Sequence, residues 1–455
     1  MKTLLELTDQ NITSNAGLLL IAPYLQNKEF REEIMSASRV IKTTGVISDY
    51  DIICCWIALL ALGKTEYEAI EEYRKDKFFQ RAIGVKKVPS AVTLRQRIEN
   101  LSDEVTSVLR RFNQAIIAGA FELARQGTRK NRKYQEGVTI GETTFAVIDS
   151  DVSVLDNSDT KKEGVEWTYK KCNGYAPMFS YIGASGYMLN NELREGSMHS
   201  NAEGTVEYFE ETIALARQIT DLPLLMVLDS GNDDKKLLDL FEERRTFFVI
   251  KRNLRKESIE NWLELAKKHH TYQREGKDGS TVYYASTERE IKVEKRKRMI
   301  RIVVVAREHY RDKHNQLLLV PEISVETYWT SLECNEQMVE KVYHLHGTME
   351  QYHAELKSDM GVERLPSGKF HANMFHLLFS MIVFNLLRRV GMRLLQSGKT
   401  PGKRGRRLRL RTVIQSVMYM AGVIIKHSGQ VRMRICSSHA WAEAFYWSNT
   451  TFSSA

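Results

Sequence analysis

The sequence predicts a mixed α/β protein: a sheet flanked by helices, with a helical N-terminal domain before it, a β-rich insertion within it and a basic C-terminal region after it. Three observations carry that prediction. Between residues 133 and 250, three strand-like segments are followed by helix, strand, helix and strand, the order of a mixed sheet covered by helices. Residues 251–334 are charge-rich and strand-like, and the next helical pattern begins only near Asn335. Residues 364–442 contain no Asp or Glu, while Arg and Lys recur through them.

The first 132 residues read as helical. Residues 50–62 form an apolar helix and 65–74 a charged one; 78–83 is a third, followed by a turn at 84–89. Ser90 can cap a helix over 90–99 whose first turns carry Arg95 and Arg97. Helix, Gly-containing turn and basic helix is the outline of a helix-turn-helix, so Arg95 and Arg97 are candidate DNA contacts. Residues 127–133 read as a basic linker.

The sheet begins with the alternating strand 144–154. Strands at 178–182 and 187–190 follow, joined by the turn Gly183 to Gly186. An amphipathic helix at 202–219 leads to the continuous apolar run 222–228, as expected of a strand buried on both faces. A helix at 234–244 and a strand at 246–250 complete a ribonuclease-H-like layout, except for its last helix. That helix is delayed by the insertion, with strand-like 281–285 and 300–305, and runs from 335 to 357. The predicted division is therefore 1–132, 133–250, 251–334, 335–395 and 396–455.

Bulk composition narrows the function classes. A chain of 455 residues with 43% hydrophobic content can fold a sizeable core, and its charge of +9 matters through its distribution. The five cysteines are scattered without metal-ligand spacing, which points to a reducing compartment and no disulfide framework. The N-terminus lacks the pattern of an export signal. The greasy stretch 374–387 is interrupted by His376 and Asn385 and is too short to span a bilayer, so it reads as a buried helix. The acid-free region cannot neutralise itself locally. It therefore predicts a polyanion-facing surface with Arg404, Arg406 and Arg407 around a mobile basic loop at 398–405.

Three acidic positions stand out by placement. Asp149 and Asp151 lie two apart in the first strand and share a face. Asp229 ends the buried run and precedes Ser230 and Gly231, where open α/β sheets place ligands. Glu350 lies on the late helix, where Tyr343, His346, Glu350, His353 and Lys357 follow at spacings that share one face. Carboxylates converging from two strands and a helix suit a pair of Mg²⁺ ions (Mn²⁺ substituting) acting on a phosphodiester.

These residues carry a resemblance. Tyr343-x2-His346-x3-Glu350-x6-Lys357 resembles the Tyr-x2-Arg-x3-Glu-x6-Lys signature of a group of insertion-sequence DDE transposases. Leu228-Asp229-Ser230-Gly231 looks like that group's second-Asp motif and Ile148-Asp149-Ser150-Asp151-Val152-Ser153 like its first, and the likeness runs from about Gly17 to Ile435. The resemblance implies a transposase that cuts at terminal inverted repeats and joins the 3′ ends to target DNA. It further implies Asp151, Asp229 and Glu350 as catalytic metal ligands, with Asp149 as the reserve first carboxylate. Tyr343, His346 and Lys357 would then be DNA contacts, the insertion would handle flanking DNA, and a homodimer would assemble on paired ends in the bacterial cytoplasm at the nucleoid.

The sequence departs from the pattern at three places: His346 stands where the signature has Arg, Asn232 where an aromatic is usual, and the first motif offers two carboxylates. Of these Asp151 is preferred, because Asp151-Val152-Ser153 fits the group's Asp-x-Thr pattern better than Asp149-Ser150-Asp151. Trp262 and Trp329 are candidates for stacking on a displaced base, against a core role for each. The rivals are a ribonuclease-H-like nuclease that cuts without joining and a catalytically inactive DNA-binding derivative.

Overall fold

The computed structural model describes residues 6–38, 47–127, 136–276, 279–312, 314, 316–402, 405–428 and 430–452. The linker at 128–133 and Arg404 fall outside the described residues.

One sheet organises the chain. Its strands are β1 (Thr143–Val152), β2 (Met178–Ile182), β3 (Tyr187–Glu192), β4 (Leu224–Leu228), β5 (Phe247–Lys251), β6 (His270–Glu275), β7 (Thr281–Val293), β8 (Arg296–Arg311) and β9 (Leu317–Thr330). They lie side by side in the order β6-β7-β8-β9-β5-β4-β1-β2-β3, and a tenth strand, Val138–Ile140, pairs with the start of β1. β1, β2 and β3 are antiparallel neighbours, while β4 runs parallel to both β1 and β5. The five strands β3-β2-β1-β4-β5 are the ribonuclease-H-like sheet. Every residue of β4 is buried, because its neighbours pair on both edges and helices cover its faces.

The insertion is not a separate subdomain. β9 pairs antiparallel with β5, Ile250 opposite Trp329, so β6–β9 extend the central sheet. The open edge of β5 offers unpaired backbone groups that β9 takes up. The helix Ile259–His269 then covers the extension, placing Trp262, Leu263 and Ala266 in one core with Ile300, Ile302 and Val304.

The N- and C-terminal regions likewise share a core rather than forming separate lobes. Leu18, Trp56, Leu94 and Leu109 pack in one cluster with Phe375 and Ile382 of the long helix Phe370–Gln396 and with Val413, Val417 and Phe445. Strand Ile12–Thr13 pairs with the C-terminal hairpin strand Gly422–His427. The helix Asp49–Ala61 starts at a reciprocal cap between Ser48 and Asp51 and is buried throughout.

The long helix is apolar enough to cross a bilayer by composition, but 83% of its most apolar stretch is buried inside this fold. Its two polar interruptions find partners there, though His376 Nε2 is buried without one among the described residues. Asn385 accepts from the Met188 N–H at 2.8 Å and donates to the Met188 carbonyl at 2.7 Å, pairing with edge strand β3. His376 Nδ1 accepts from Trp56 Nε1 at 3.2 Å, and burial holds the ring down to about 3, so it stays neutral.

This has a measurable consequence. The unfolded chain binds a proton at His376 near pH 6.5 and the folded chain does not, so stability is full above that pH and falls as pH drops from 6.5 toward 3. At pH 4 the loss amounts to about 3 kcal/mol. His376→Phe is expected to cost about 1–3 kcal/mol at pH 7, leaving Trp56 Nε1 unpaired, yet to flatten the acid limb of urea stability plotted against pH. An unchanged acid slope in the variant would refute the assignment.

Candidate active site

Strand direction and register bring three carboxylates to one end of the sheet. Asp149 and Asp151 lie two apart on β1, while Ser150 points the other way and is bonded to Ser180 Oγ at 2.6 Å. On the parallel neighbour β4, Val227 pairs with Asp149 and Leu228 with Ser150, so Asp229 leaves its strand level with Asp151. A short 3₁₀ turn follows, and Asp229 Oδ1 accepts from the Gly231 N–H at 3.0 Å and from Asn232 Nδ2 at 2.8 Å. Buried Asn232 thereby steadies the Asp229 carboxylate, a role an aromatic side chain lacks.

The three carboxylates sit close enough to act on one another. Burial, and then the charge of Asp229, pushes Asp151 up to about 7, against the pull of His346. Burial also raises Asp149, opposed by its hydrogen bond with His346 Nδ1 at 2.5 Å. For His346, burial disfavours the charged ring, but the bond to Asp149 and the charges of Asp149, Asp151 and Asp229 outweigh it and lift it to about 9. His346 is thus a cation near neutrality, as the signature Arg would be.

The helix facing this group is broken, contrary to the single helix expected over 335–357. Helix Glu336–Tyr343 passes into a 3₁₀ turn, His344–Thr348, resumes as Met349–Ala354 and ends in a π-helical turn, Glu355–Asp359. The five residues expected on one face therefore separate. Tyr343 packs against Tyr328 and lies parallel to the His346 ring, centroids 5.9 Å apart, with Lys251 Nζ 5.7 Å from its own centroid. His346 reaches Asp149. His353 turns into the sheet beside Phe179 and Tyr181, where burial holds it down to about 3. Lys357 Nζ donates to the Val154 carbonyl just past β1. Glu350 is exposed and makes no hydrogen bond or ion pair among the described residues.

Asp151 and Asp229 supply hard oxygen donors of the kind Mg²⁺ prefers. Among the described residues, however, no three His, Cys, Asp or Glu side chains lie close enough together to hold an ion. The donor types fit a divalent cation; the third donor lies outside the group.

The basic positions fare unevenly. Arg95 is exposed and makes no hydrogen bond or ion pair among the described residues, whereas Arg97 turns inward to Asp49 and the Ile47 carbonyl. Arg407 also turns inward, to Glu355 and Gln351, while Arg409 and Arg411 pair with Asp359. Two acids of the preceding segment, Glu355 and Asp359, thus pair with four arginines of the acid-free region, Arg388, Arg407, Arg409 and Arg411, and leave that region with a positive excess. Arg406 lines a cleft of about 500 Å³ with Thr348 and Gln351. Trp262 and Trp329 are core residues, 6% and 4% exposed, and they sandwich the Arg252 guanidinium.

Sequence reasoning missed Tyr169, whose hydroxyl donates to the Val152 carbonyl at 3.2 Å beside Asp151. The signal was legible in the aromatic and lysine residues of Trp167-Thr168-Tyr169-Lys170-Lys171.

A ribonuclease-H-like sheet with carboxylates at the ends of its two central parallel strands, faced by a helix bearing cations, defines a phosphoryl-transfer enzyme of polynucleotides. The chain matches the family described as Transposase DDE domain group 1 over residues 2–453, and it belongs to that family. It is a DDE transposase of the cut-and-paste kind, an enzyme that cleaves DNA and transfers strands, and the family depends on divalent metal. No curated protein matches it by sequence. Among solved structures, a piggyBac transposase synaptic complex with hairpin DNA is similar at 12% identity, over 88% of this chain and 80% of that one, with a TM-score of 0.41.

Proposed function

We propose that Asp151 and Asp229 are the first two metal-binding carboxylates of this transposase and Glu350 the third, acting at terminal inverted repeats and joining 3′ ends to target DNA. The observation that carries this is the meeting of Asp151 and Asp229 across adjacent parallel strands. Two Mg²⁺ ions held by these carboxylates would activate the attacking oxygen and neutralise the scissile phosphate.

The chain's own groups do the rest. In cleavage, water adds to phosphorus and the P–O bond to the transposon 3′ oxygen breaks, leaving a 3′-hydroxyl. In joining, that hydroxyl forms a new P–O bond while one target P–O bond breaks, so no covalent enzyme intermediate is needed. His346, held by Asp149, and Lys357 donate to phosphate oxygens, and Tyr343 buttresses the His346 ring. Arg95 and Arg406 hold the backbone without reading sequence. Two copies would pair the two transposon ends.

Glu350 lies about one helical turn beyond His346, and a 3₁₀ stretch inside a helix is a common place for a hinge. Winding His344–Thr348 into α-helix restores the face shared with His346. Glu350→Gln is expected to lower Mg²⁺-dependent cleavage of transposon-end DNA by about a hundredfold or more. Unchanged cleavage would remove Glu350 from the site. Strand-transfer products from pre-cut ends separate the transposase from a nuclease that only cuts.

A further inference from the structure

Between β1 and β2 the chain leaves the central sheet and returns through a small sheet of Leu155–Asp156, Asn173–Tyr175 and Glu166–Trp167. The outer end of this excursion carries two aromatic rings and two lysines in five residues. Trp167 is 62% exposed and Tyr169 52%. The segment is nonetheless held in place. Buried Thr168 donates through both its N–H and its hydroxyl to the Cys172 carbonyl, at 3.0 and 2.9 Å, and Lys171 closes the turn at φ +61°. Tyr169 is pinned by its hydroxyl to the last residue of β1, and the charges of Asp151 and Asp229 act on it. Lys170 and Lys171 are exposed and form no ion pair among the described residues. The positive charge of Lys170 is felt at His353 and Lys357, on the helix opposite.

We propose that this excursion is a clamp for unpaired nucleotides at the cleaved DNA end, with Trp167 and Tyr169 stacking on bases while Lys170 and Lys171 take the adjoining phosphates. The proposal rests on the reading of Asp151 and Asp229 as the cutting site. Two rings followed by two cations at a strand's end match single-strand binding, where stacking serves any base and lysines track the backbone. A paired duplex hides its base faces and would call only for the lysines. The anchoring of Tyr169 beside Asp151 puts its ring next to the carboxylates, two residues from Trp167.

The test uses the full chain and a labelled short single strand, with a blunt duplex of the same sequence as comparison, both read by fluorescence anisotropy without metal. Trp167→Ala is expected to weaken single-strand binding by about tenfold or more and duplex binding by less than about twofold. Trp167→Phe, which keeps a ring, is expected to retain most of the affinity. Lys170→Ala is expected to make log K against log salt shallower by about 0.7 on the single strand. Equal losses on both DNAs, or no loss from Trp167→Ala, would overturn the clamp. So would a change of oligomeric state in that variant, which would make the rings a protein interface. Asp151→Asn separates the two readings: it is expected to abolish cleavage and leave Trp167-dependent strand binding intact. A variant that still cleaves sinks the assignment of the site, not of the clamp.

Discussion

Asp151→Asn and Asp229→Asn are each expected to reduce Mg²⁺-dependent cleavage by about a thousandfold or more, with the fold intact. Asn keeps the shape and removes the charge that a cation needs, at one position held by strand pairing and one held by the turn that follows its strand. Asp149→Asn is expected to cost less, about 10- to 100-fold, because its work passes through His346, as for an outer partner that orients a primary ligand. The two roles separate in a second background. With His346→Arg in place, the cation no longer depends on Asp149, so adding Asp149→Asn should change cleavage by less than about threefold. If Asp149→Asn is as damaging as Asp151→Asn in both backgrounds, Asp149 is the first carboxylate and the assignment moves by two residues.

The largest effect on stability is expected at Glu355. Its carboxylate is 3% exposed and lies between Arg388 Nη2, at 2.8 Å, and Arg407. Arg388 is itself 1% exposed and packs over the Tyr352 and Phe384 rings. Glu355→Gln leaves a buried guanidinium without its counter-charge, which costs about 3–5 kcal/mol in such settings. The same change releases Arg407, and with it one tie between the C-terminal region and the helix that carries Glu350. Urea unfolding at neutral pH measures this. A loss under about 1 kcal/mol would show that neighbouring groups or water solvate Arg388 without Glu355. Replacing both partners with apolar residues of similar volume should restore much of the loss, since no charge is then left buried.

These two sites differ in how far the sequence announced them. The pair Asp151 and Asp229 was legible because each sits on a segment whose pattern is local. Strand alternation places Asp149 and Asp151 on one face, and a continuous apolar run marks β4 as central and Asp229 as its end. Glu355 carries no such local mark. Its partners, Arg388 and Arg407, lie 33 and 52 residues further on and meet it only once the chain has folded back. The same distance hid the pairing of four arginines within residues 364–442 with Glu355 and Asp359.

What the sequence determined by itself is therefore the part set by short-range periodicity: the five-strand order, the buried run of β4, the helical flanks and the carboxylates at strand ends. Tertiary structure alone decided the rest. It joined the insertion to the free edge of β5, since an open strand edge is satisfied by whichever strand reaches it. It turned Arg97 and Arg407 inward, since a charge settles by its neighbours in space. It also broke the helix between His346 and Glu350. Helical spacing places both on one face, but His346 is bonded to Asp149 while Tyr352 sits over Gly186, where a β-carbon would come within 2.1 Å of its ring. The backbone at His344–Thr348 takes the 3₁₀ form, α-helix resumes at Met349, and Glu350 is left facing solvent.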